Sequence, residues 1–330
     1  MKILLIAPKS HFTEQMITAL QALGHAVRWL DDRQNYFFPT LPRNKFLWKI
    51  SRRWRWLRQV NAALLNKKIL HNATDIVLVN KGIEVMPETL LELRKRGIIT
   101  ANWFPDNART KEYGPWIARM MPFYDHFFSF HEDLSGAHYL PVAVDPSYFD
   151  LSHTDKQYAH HLVFVGAYFP EREAMLSAIR DFKPVIYGSS AWATSSFASS
   201  YRGMLTPEQF MSVYAMSDIS ININTDPPVP GVNLKTFEIP ACGGFQISDY
   251  RSGLEDLFVI GKEIAVYRDA KELRTMVEYY ESHPEERRAI AQAGRARVLK
   301  SHTMLQRMKT ICDTLFSTSG STVTPTPATR

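Results

Sequence analysis

Cysteine is nearly missing from this chain. Only Cys242 and Cys312 occur in 330 residues, too few and too far apart for a disulfide framework or a zinc-ligand cluster. A reducing, cytoplasmic setting is therefore expected. Nothing approaches the ~20 consecutive apolar residues that a membrane-spanning helix needs, so any membrane contact is expected to be peripheral, at the inner face. The opening MKILLIAP has one lysine and a short apolar run. It has no small-residue cleavage site, and it reads as a buried first strand. No Gly-x-Gly-x-x-Gly follows the first strand of either half, which argues against a dinucleotide-binding dehydrogenase. Acidic residues are absent between Arg33 and Lys68, where ten Lys or Arg fall. The net charge of +6 thus marks a local basic patch on an otherwise slightly acidic chain.

What the chain does contain is hydrophobic content, 45% of residues, in a length beyond the roughly 100 to 200 residues of one domain. Two cores are expected. KILLIA (Lys2 to Ala7) reads as a strand, His11 to Leu23 as a helix closed by Gly24, and HAVRWL (His25 to Leu30) as a second strand. DIVLVN from Asp75, a helix from Pro87 to Arg96, a strand from Ile98 to Trp103, and short strands at Phe127 to Phe130 and Tyr139 to Val144 continue the series. The stretch from Pro141 to Gln157 has no clear period and is the expected junction. A second series follows: HLVFV from His161, a helix from Glu171 to Phe182, VIYG from Val185, a helix from Pro207 to Met216, DISININ from Asp218, a helix from Lys235 to Cys242, and a strand from Phe245 to Ser248. Helical patterns run from Ala270 to Ser282 and from Pro284 to Phe316. The expected fold is α/β, two Rossmann-like doubly wound domains at 1–150 and 151–316 facing a central cleft, because such sheets take ligands at the carboxyl ends of their strands. The tail 317–330, STSGSTVTPTPATR, lacks the apolar surface to order itself.

The segment NLKTFEIPACGGFQISD, Asn233 to Asp249, concentrates the chemistry. Asn233, Lys235 and Thr236 open a helix, where backbone N–H groups and the helix dipole favour an anion such as a diphosphate. Glu238, just inside, can accept hydrogen bonds from sugar hydroxyls, and Gly243 and Gly244 end the helix. An ordinary capped helix with a glycine stop accounts for these features equally well. The segment resembles the signature of GT-B glycosyltransferases of the CgeB-like spore-protein group, Asn-x-Arg/Lys-Thr-Phe-Glu-x-x-Ala-Cys-Gly-Gly followed by an apolar strand and Asp. Asn233, Lys235, Thr236, Phe237, Glu238, Ala241, Cys242, Gly243 and Asp249 match it. FVGAYFPERE (Phe164 to Glu173) resembles the group's phosphate-facing loop, with Gly166 and Arg172 in place. Tyr187 and Gly188 resemble its Tyr-Gly strand end, and Glu285 to Thr303 its C-terminal helix block.

The resemblance spans about Leu162 to Lys309, and the first half matches in pattern only. It implies that Glu238 holds the ribose of a nucleoside diphosphate sugar while Arg172 and Lys235 neutralise its pyrophosphate, meeting the charge that develops on the leaving group. It implies a metal-independent hexosyltransferase with the nucleotide sugar as co-substrate and no cofactor, and no Asp-x-Asp motif occurs. Retaining members commonly carry a second glutamate eight positions upstream of Glu238. Here that position is Pro230, and Asn222, Asn224 or Asp226 are the nearest polar candidates for the donor sugar.

For the acceptor, a proton must be taken from a hydroxyl. His11 and Asp106 follow expected strands and are the candidate bases, with His131 similarly placed. The stretch Arg43 to Lys68 sets Leu47, Ile50, Trp54, Leu57, Val60 and Leu64 on one helical face, with Arg52, Arg53, Arg55 and Arg58 mostly elsewhere. Arginine and tryptophan at this density, Trp54 included, suit an anionic lipid surface and hence a lipid-linked or envelope-glycan acceptor. A nucleic acid would meet the same cations, and a plain solvated basic face remains the third reading. The alternative functions are a nucleic-acid-modifying sugar transferase and a non-catalytic sugar-nucleotide-binding module.

Overall fold

The computed structural model describes residues 1–34, 36, 55–149, 151–224 and 231–317. The chain divides into two compact units, Met1–Leu140 together with the chain from Met304, and Pro141–Thr303.

In unit 1, β1 (Lys2–Ile6), β2 (Ala26–Leu30), β3 (Ile76–Asn80), β4 (Ile99–Phe104), β5 (His126–Ser129) and β6 (His138–Tyr139) form a parallel sheet in the order β2-β1-β3-β4-β5-β6. Successive strand side chains point to opposite faces. Ile3, Leu5, Ile76 and Leu78 therefore join one core, and Leu4, Ile6, Val77 and Val79 the other. A sheet buried on both faces needs such continuous apolar runs. Among the described residues four helices connect the strands: α1 (His11–Ala22), α2 (Arg55–Leu70), α3 (Pro87–Lys95) and α4 (Gly114–Met120). Ser10 caps α1 by accepting the Thr13 N–H at 3.2 Å, and Gly24 takes the left-handed conformation just beyond it, φ +83°. Of the strand expected at Tyr139 to Val144 only the two-residue β6 forms, and the chain passes into unit 2 from Pro141.

In unit 2, β7 (Leu162–Gly166), β8 (Val185–Gly188), β9 (Ile219–Asn222), β10 (Gln246–Asp249) and β11 (Ala265–Tyr267) pair in parallel in the order β11-β10-β9-β7-β8. The helices are α5 (Pro170–Ser177), α6 (Pro207–Met216), α7 (Lys235–Ala241), α8 (Leu254–Leu257), α9 (Ala270–Glu281) and α10 (Pro284–Ser301). Apolar clusters cover both faces of this sheet as well.

The helical pattern that the sequence carries from Pro284 to Phe316 is broken in the structure. His302 leaves helical geometry, with φ −129° and ψ 39°. Its ring is buried in unit 2 against Phe237 and Phe258, and Nε2 lies 2.9 Å from the Leu257 carbonyl. Beyond Thr303 a separate helix, α11 (Met304–Ser317), begins. Its buried stripe of Met304, Met308, Ile311, Cys312 and Leu315 joins the unit 1 core beside α1. The units thus part at Leu140 and rejoin at Met304, whereas the sequence placed one boundary at 150 and ran the second domain to 316. The tail 318–330 lies outside the described residues.

Candidate functional site

The strand order of unit 2 reverses about β7, with β8 on one side and β9 on the other. Ligands of open parallel sheets bind beyond the carboxyl ends of the strands at such a switch. Here the strand ends approach closely. Gly188 has φ +140°, and a Cβ on it would fall 1.9 Å from the Gly166 carbonyl oxygen, so only glycine fits. That oxygen also accepts the Trp192 indole N–H at 2.9 Å. Tyr187 is buried with its hydroxyl 2.9 Å from His160 Nε2. The Tyr187-Gly188 and Gly166 matches are thus accounted for by how two strand ends pack.

Arg172, on α5, is only 7% exposed. Its Nη1 donates to the Ala167 carbonyl at 2.9 Å and its Nη2 to the Ile223 carbonyl at 2.8 Å. The side chain therefore ties the turn after β7 to the turn after β9. Burial lowers its pKa below the usual arginine range, with Asp249 pulling the other way. In this geometry the guanidinium holds the two turns together.

Beyond β9 the polar residues form one connected network. Asn222 Nδ2 reaches Asn233 Oδ1 at 3.3 Å, Thr236 Oγ1 at 3.1 Å and Ser248 Oγ at 3.3 Å, and Asn233 Nδ2 donates back to Asn222 Oδ1 at 2.9 Å. Asn224 Oδ1 accepts the Asn233 N–H at 2.8 Å. The Asn224 backbone N–H and its Nδ2 each donate to Asp249 Oδ1, and Arg251 grips Asp249 Oδ2 at 2.7 and 2.8 Å. Asn233 also caps α7, its Oδ1 accepting the Thr236 N–H at 3.1 Å. Asn222 and Thr236 are fully buried. They fix the entry to α7 from below. Buried amides satisfied in this way rigidify their surroundings.

Lys235 and Glu238 sit one turn apart on α7, Nζ 3.8 Å from Oε2. The Lys235 ammonium also lies 5.0 Å from the centre of the Phe210 ring. The Glu238 side chain is 18% exposed, and among the described residues its carboxylate has no hydrogen bond beyond that ion pair. Burial raises its pKa, which Lys235 partly opposes. Beside it Tyr214 is completely buried, with no partner for its hydroxyl. The helix offers an under-satisfied acceptor and a cation, the pair that a hydroxyl-bearing anion would engage. Gly243, φ +76°, lies at the opposite end of α7 and serves as its stop. Asp226 and Pro230 fall outside the described residues.

In unit 1, His11 is the exposed first residue of α1, with Nδ1 3.2 Å from Glu14. Asp106 pairs with Lys81. His131 is buried, and its Nε2 accepts the Ala108 N–H at 3.0 Å. It therefore shapes the turn after β4. Arg58 pairs with Glu84 at 2.8 Å. Arg52, Arg53 and Trp54 lie outside the described residues, and Arg55 is described only as the first residue of α2. The sequence reading passed over Asp32, Lys81 and Tyr214. For Asp32 a signal existed, two aspartates directly after an apolar strand.

A sequence model of the family described as "Glycosyl transferase-like" matches residues 172–313. No curated protein matches the chain by sequence. Among solved structures, the chain is similar to a glycosyltransferase from Rickettsia africae, with a TM-score of 0.68 and 13% identity over 97% of this chain and 99% of that one. It is similar to a sucrose-phosphate synthase from Thermosynechococcus elongatus, with a TM-score of 0.66 and 12% identity over 96% and 99%. Anabaena HepE, solved with UDP and glucose, gives a TM-score of 0.63 and 10% identity over 96% and 100%. At such identities the likeness establishes the fold: the chain has two parallel-sheet units of the GT-B glycosyltransferase kind.

Proposed function

We propose that the chain transfers a hexose from a nucleoside diphosphate sugar to an acceptor hydroxyl, without a metal or cofactor, and that unit 2 holds the donor. The observation that carries this reading is the Glu238 carboxylate, largely buried at the carboxyl edge of the sheet, with no hydrogen-bond donor among the described residues except Lys235 at 3.8 Å. It sits inside the stretch that carries the glycosyl transferase-like pattern. A ribose hydroxyl pair supplies the missing donors. Lys235 meets the diphosphate and stabilises the leaving group as the glycosidic bond breaks. The Asn222–Asn233–Asp249 network keeps α7 in place for both. That HepE was solved with UDP, with UDP-glucose, and with UDP and glucose supports a uridine nucleotide as first choice.

The test is thermal stabilisation by UDP- and GDP-sugars, followed by nucleotide release. Stabilisation with release on adding acceptors supports transfer. Stabilisation with no turnover over a broad acceptor panel favours a sugar-nucleotide-binding module. No stabilisation by any nucleotide sugar would remove the reading.

The acceptor is proposed to be presented at an anionic membrane surface, a lipid-linked or envelope glycan met from the cytoplasmic side. Supporting this is Trp56 in the first turn of the basic helix α2, 54% exposed, with the exposed Lys67 and Lys68 in the last turn of the same helix. An aromatic belt residue amid cations suits a lipid interface. Co-sedimentation with phosphatidylglycerol vesicles should fall on Trp56→Ala. Binding to duplex DNA in place of vesicles would favour a nucleic-acid acceptor.

A further inference from the structure

The carboxyl edge of the unit 1 sheet holds a polar cluster that donor binding does not use. Strand order reverses about β1, which lies between β2 and β3, so this edge is also a switch point. Asp32 stands just past the end of β2, 7% exposed, and among the described residues its Oδ1 has no partner. A buried carboxylate oxygen without a hydrogen bond is costly to keep, and a ligand that brings a donor to it would offset that cost.

The neighbouring turn is held in an uncommon shape. Lys81, directly after β3, has φ +65°, and Gly82 follows at φ +64°, conformations that a residue with a side chain rarely adopts. Strand β4 pins Lys81 from both sides. Its N–H donates to the Trp103 carbonyl at 3.2 Å, and its carbonyl accepts Asn102 Nδ2 at 3.0 Å. Backbone strain that neighbours over-determine in this way gathers at ligand sites. The pinned turn puts the Lys81 ammonium against Asp106.

The charges around Asp32 decide the ligand class. Arg33 faces it from its own loop, and Lys81 and Glu84 from the turn after β3. The Tyr36 and Tyr124 hydroxyls sense its charge from two further segments. Lys81 is already matched by Asp106, and Glu84 by Arg58, while Arg33 faces the Asp32 carboxylate itself, so an anion would gain little. Among the described residues no group suited to a metal ion occurs. What the unpartnered oxygen can accept is an O–H.

We propose that Asp32 is the hydrogen-bond acceptor of a binding site in unit 1 for a neutral polyhydroxyl ligand, a sugar or polyol, with the Lys81–Asp106 pair beside it. The binding rests on unit 1 alone. Naming that ligand as the sugar acceptor rests on the transferase reading above. Burial pushes the Asp32 carboxyl up to about 6, with Arg33 and Lys81 drawing it down and Glu84 raising it. Affinity for an O–H donor is therefore full at pH 8 and declines as pH falls through about 6.

The experiment is calorimetric titration of the full chain, without nucleotide, by D-glucose, D-mannose and glycerol at pH 8 and pH 5, and by inorganic phosphate as the anionic control. At least one of the three polyols binds the wild type at pH 8 and binds more weakly at pH 5. Asp32→Asn weakens it tenfold or more, the usual loss when a charge-assisted hydrogen bond goes, and phosphate gives no heat. The Asp32→Asn protein melts no lower than wild type at pH 8, showing that it is folded, and UDP binds both proteins equally. No heat from any of the three polyols, equal affinity in Asp32→Asn, or binding of phosphate instead would overturn the proposal. Loss of UDP binding in both proteins would remove the donor reading and leave this one standing.

Discussion

At the carboxyl edge of the unit 2 sheet the amides and the carboxylate of Asn222, Asn224, Asn233 and Asp249 are bonded to one another, while at the same edge of unit 1 Asp32 is buried with one oxygen unpartnered. Both sheets reverse strand order there, so the topology is shared and the polar chemistry is not. Unit 2 is pre-organised, its network satisfied in advance, and on the proposed donor reading the ligand meets Glu238 and Lys235. Unit 1 keeps an unmet hydrogen bond and a strained turn, which favours a ligand that completes the site. The contrast shows that a doubly wound sheet says where to look, and that the degree of satisfaction of its polar groups says what each edge is prepared for.

The largest effect that can break this comparison is at Asp249. Asp249→Ala leaves Asn224 and the partly buried Arg251 without their shared acceptor. A loss on the order of 3 kcal/mol is expected in denaturant unfolding, and a loss well under 1 kcal/mol would mean that the network is not what orders this edge.

Asp32→Asn should do the reverse. The folded pKa of about 6 lies above that of an unfolded aspartate, so the folded state binds the proton more tightly, and wild-type stability falls as pH rises from about 4 through 6. Removing the charge should raise stability by on the order of 2 to 3 kcal/mol at pH 8 and change little at pH 4. Equal unfolding midpoints for the two proteins across this range would place the Asp32 carboxylate in contact with solvent.

A smaller effect follows from the raised pKa of Glu238. UDP affinity should weaken several-fold as pH is lowered, starting above the ordinary glutamate range, since a protonated carboxyl accepts less strongly. Affinity flat from pH 8 down to 5 would count against Glu238 as the acceptor. Smallest of all is Arg58→Ala, which removes an exposed ion pair with Glu84 and should cost no more than about 0.5 kcal/mol. A clear rise in the Asp32 pKa in that variant, followed by carboxyl NMR, would sharpen the account of unit 1.

Much of the fold is legible in the chain because strands buried on both faces must be apolar runs. KILLI, IVLVN and LVFVG leave little choice, and the helices between them carry matching stripes. What escapes such reading is short or non-local. Strand β11 has three residues. The break at His302 and Thr303 depends on a ring packed against Phe237 and Phe258, side chains far away in sequence. The segment around Glu238 stands out in the sequence as a candidate site, yet the division of labour within it does not. Arg172 and Glu238 look equally suited to a ligand as residue types, and only the two carbonyls that occupy Arg172 separate them. For Asp32 the two aspartates after an apolar strand mark the place, but a hydrogen bond that is not made leaves no pattern in a sequence.

The central claim, that unit 2 is a donor site centred on Glu238, is tested most directly by calorimetric titration of UDP into the wild type and Glu238→Ala at pH 8. The account predicts a loss of affinity of roughly 10- to 100-fold, the value of a hydrogen bond to a charged group, with the melting temperature in the absence of ligand lowered little, since Glu238 is outside the network. Equal UDP affinity in the two proteins would contradict it.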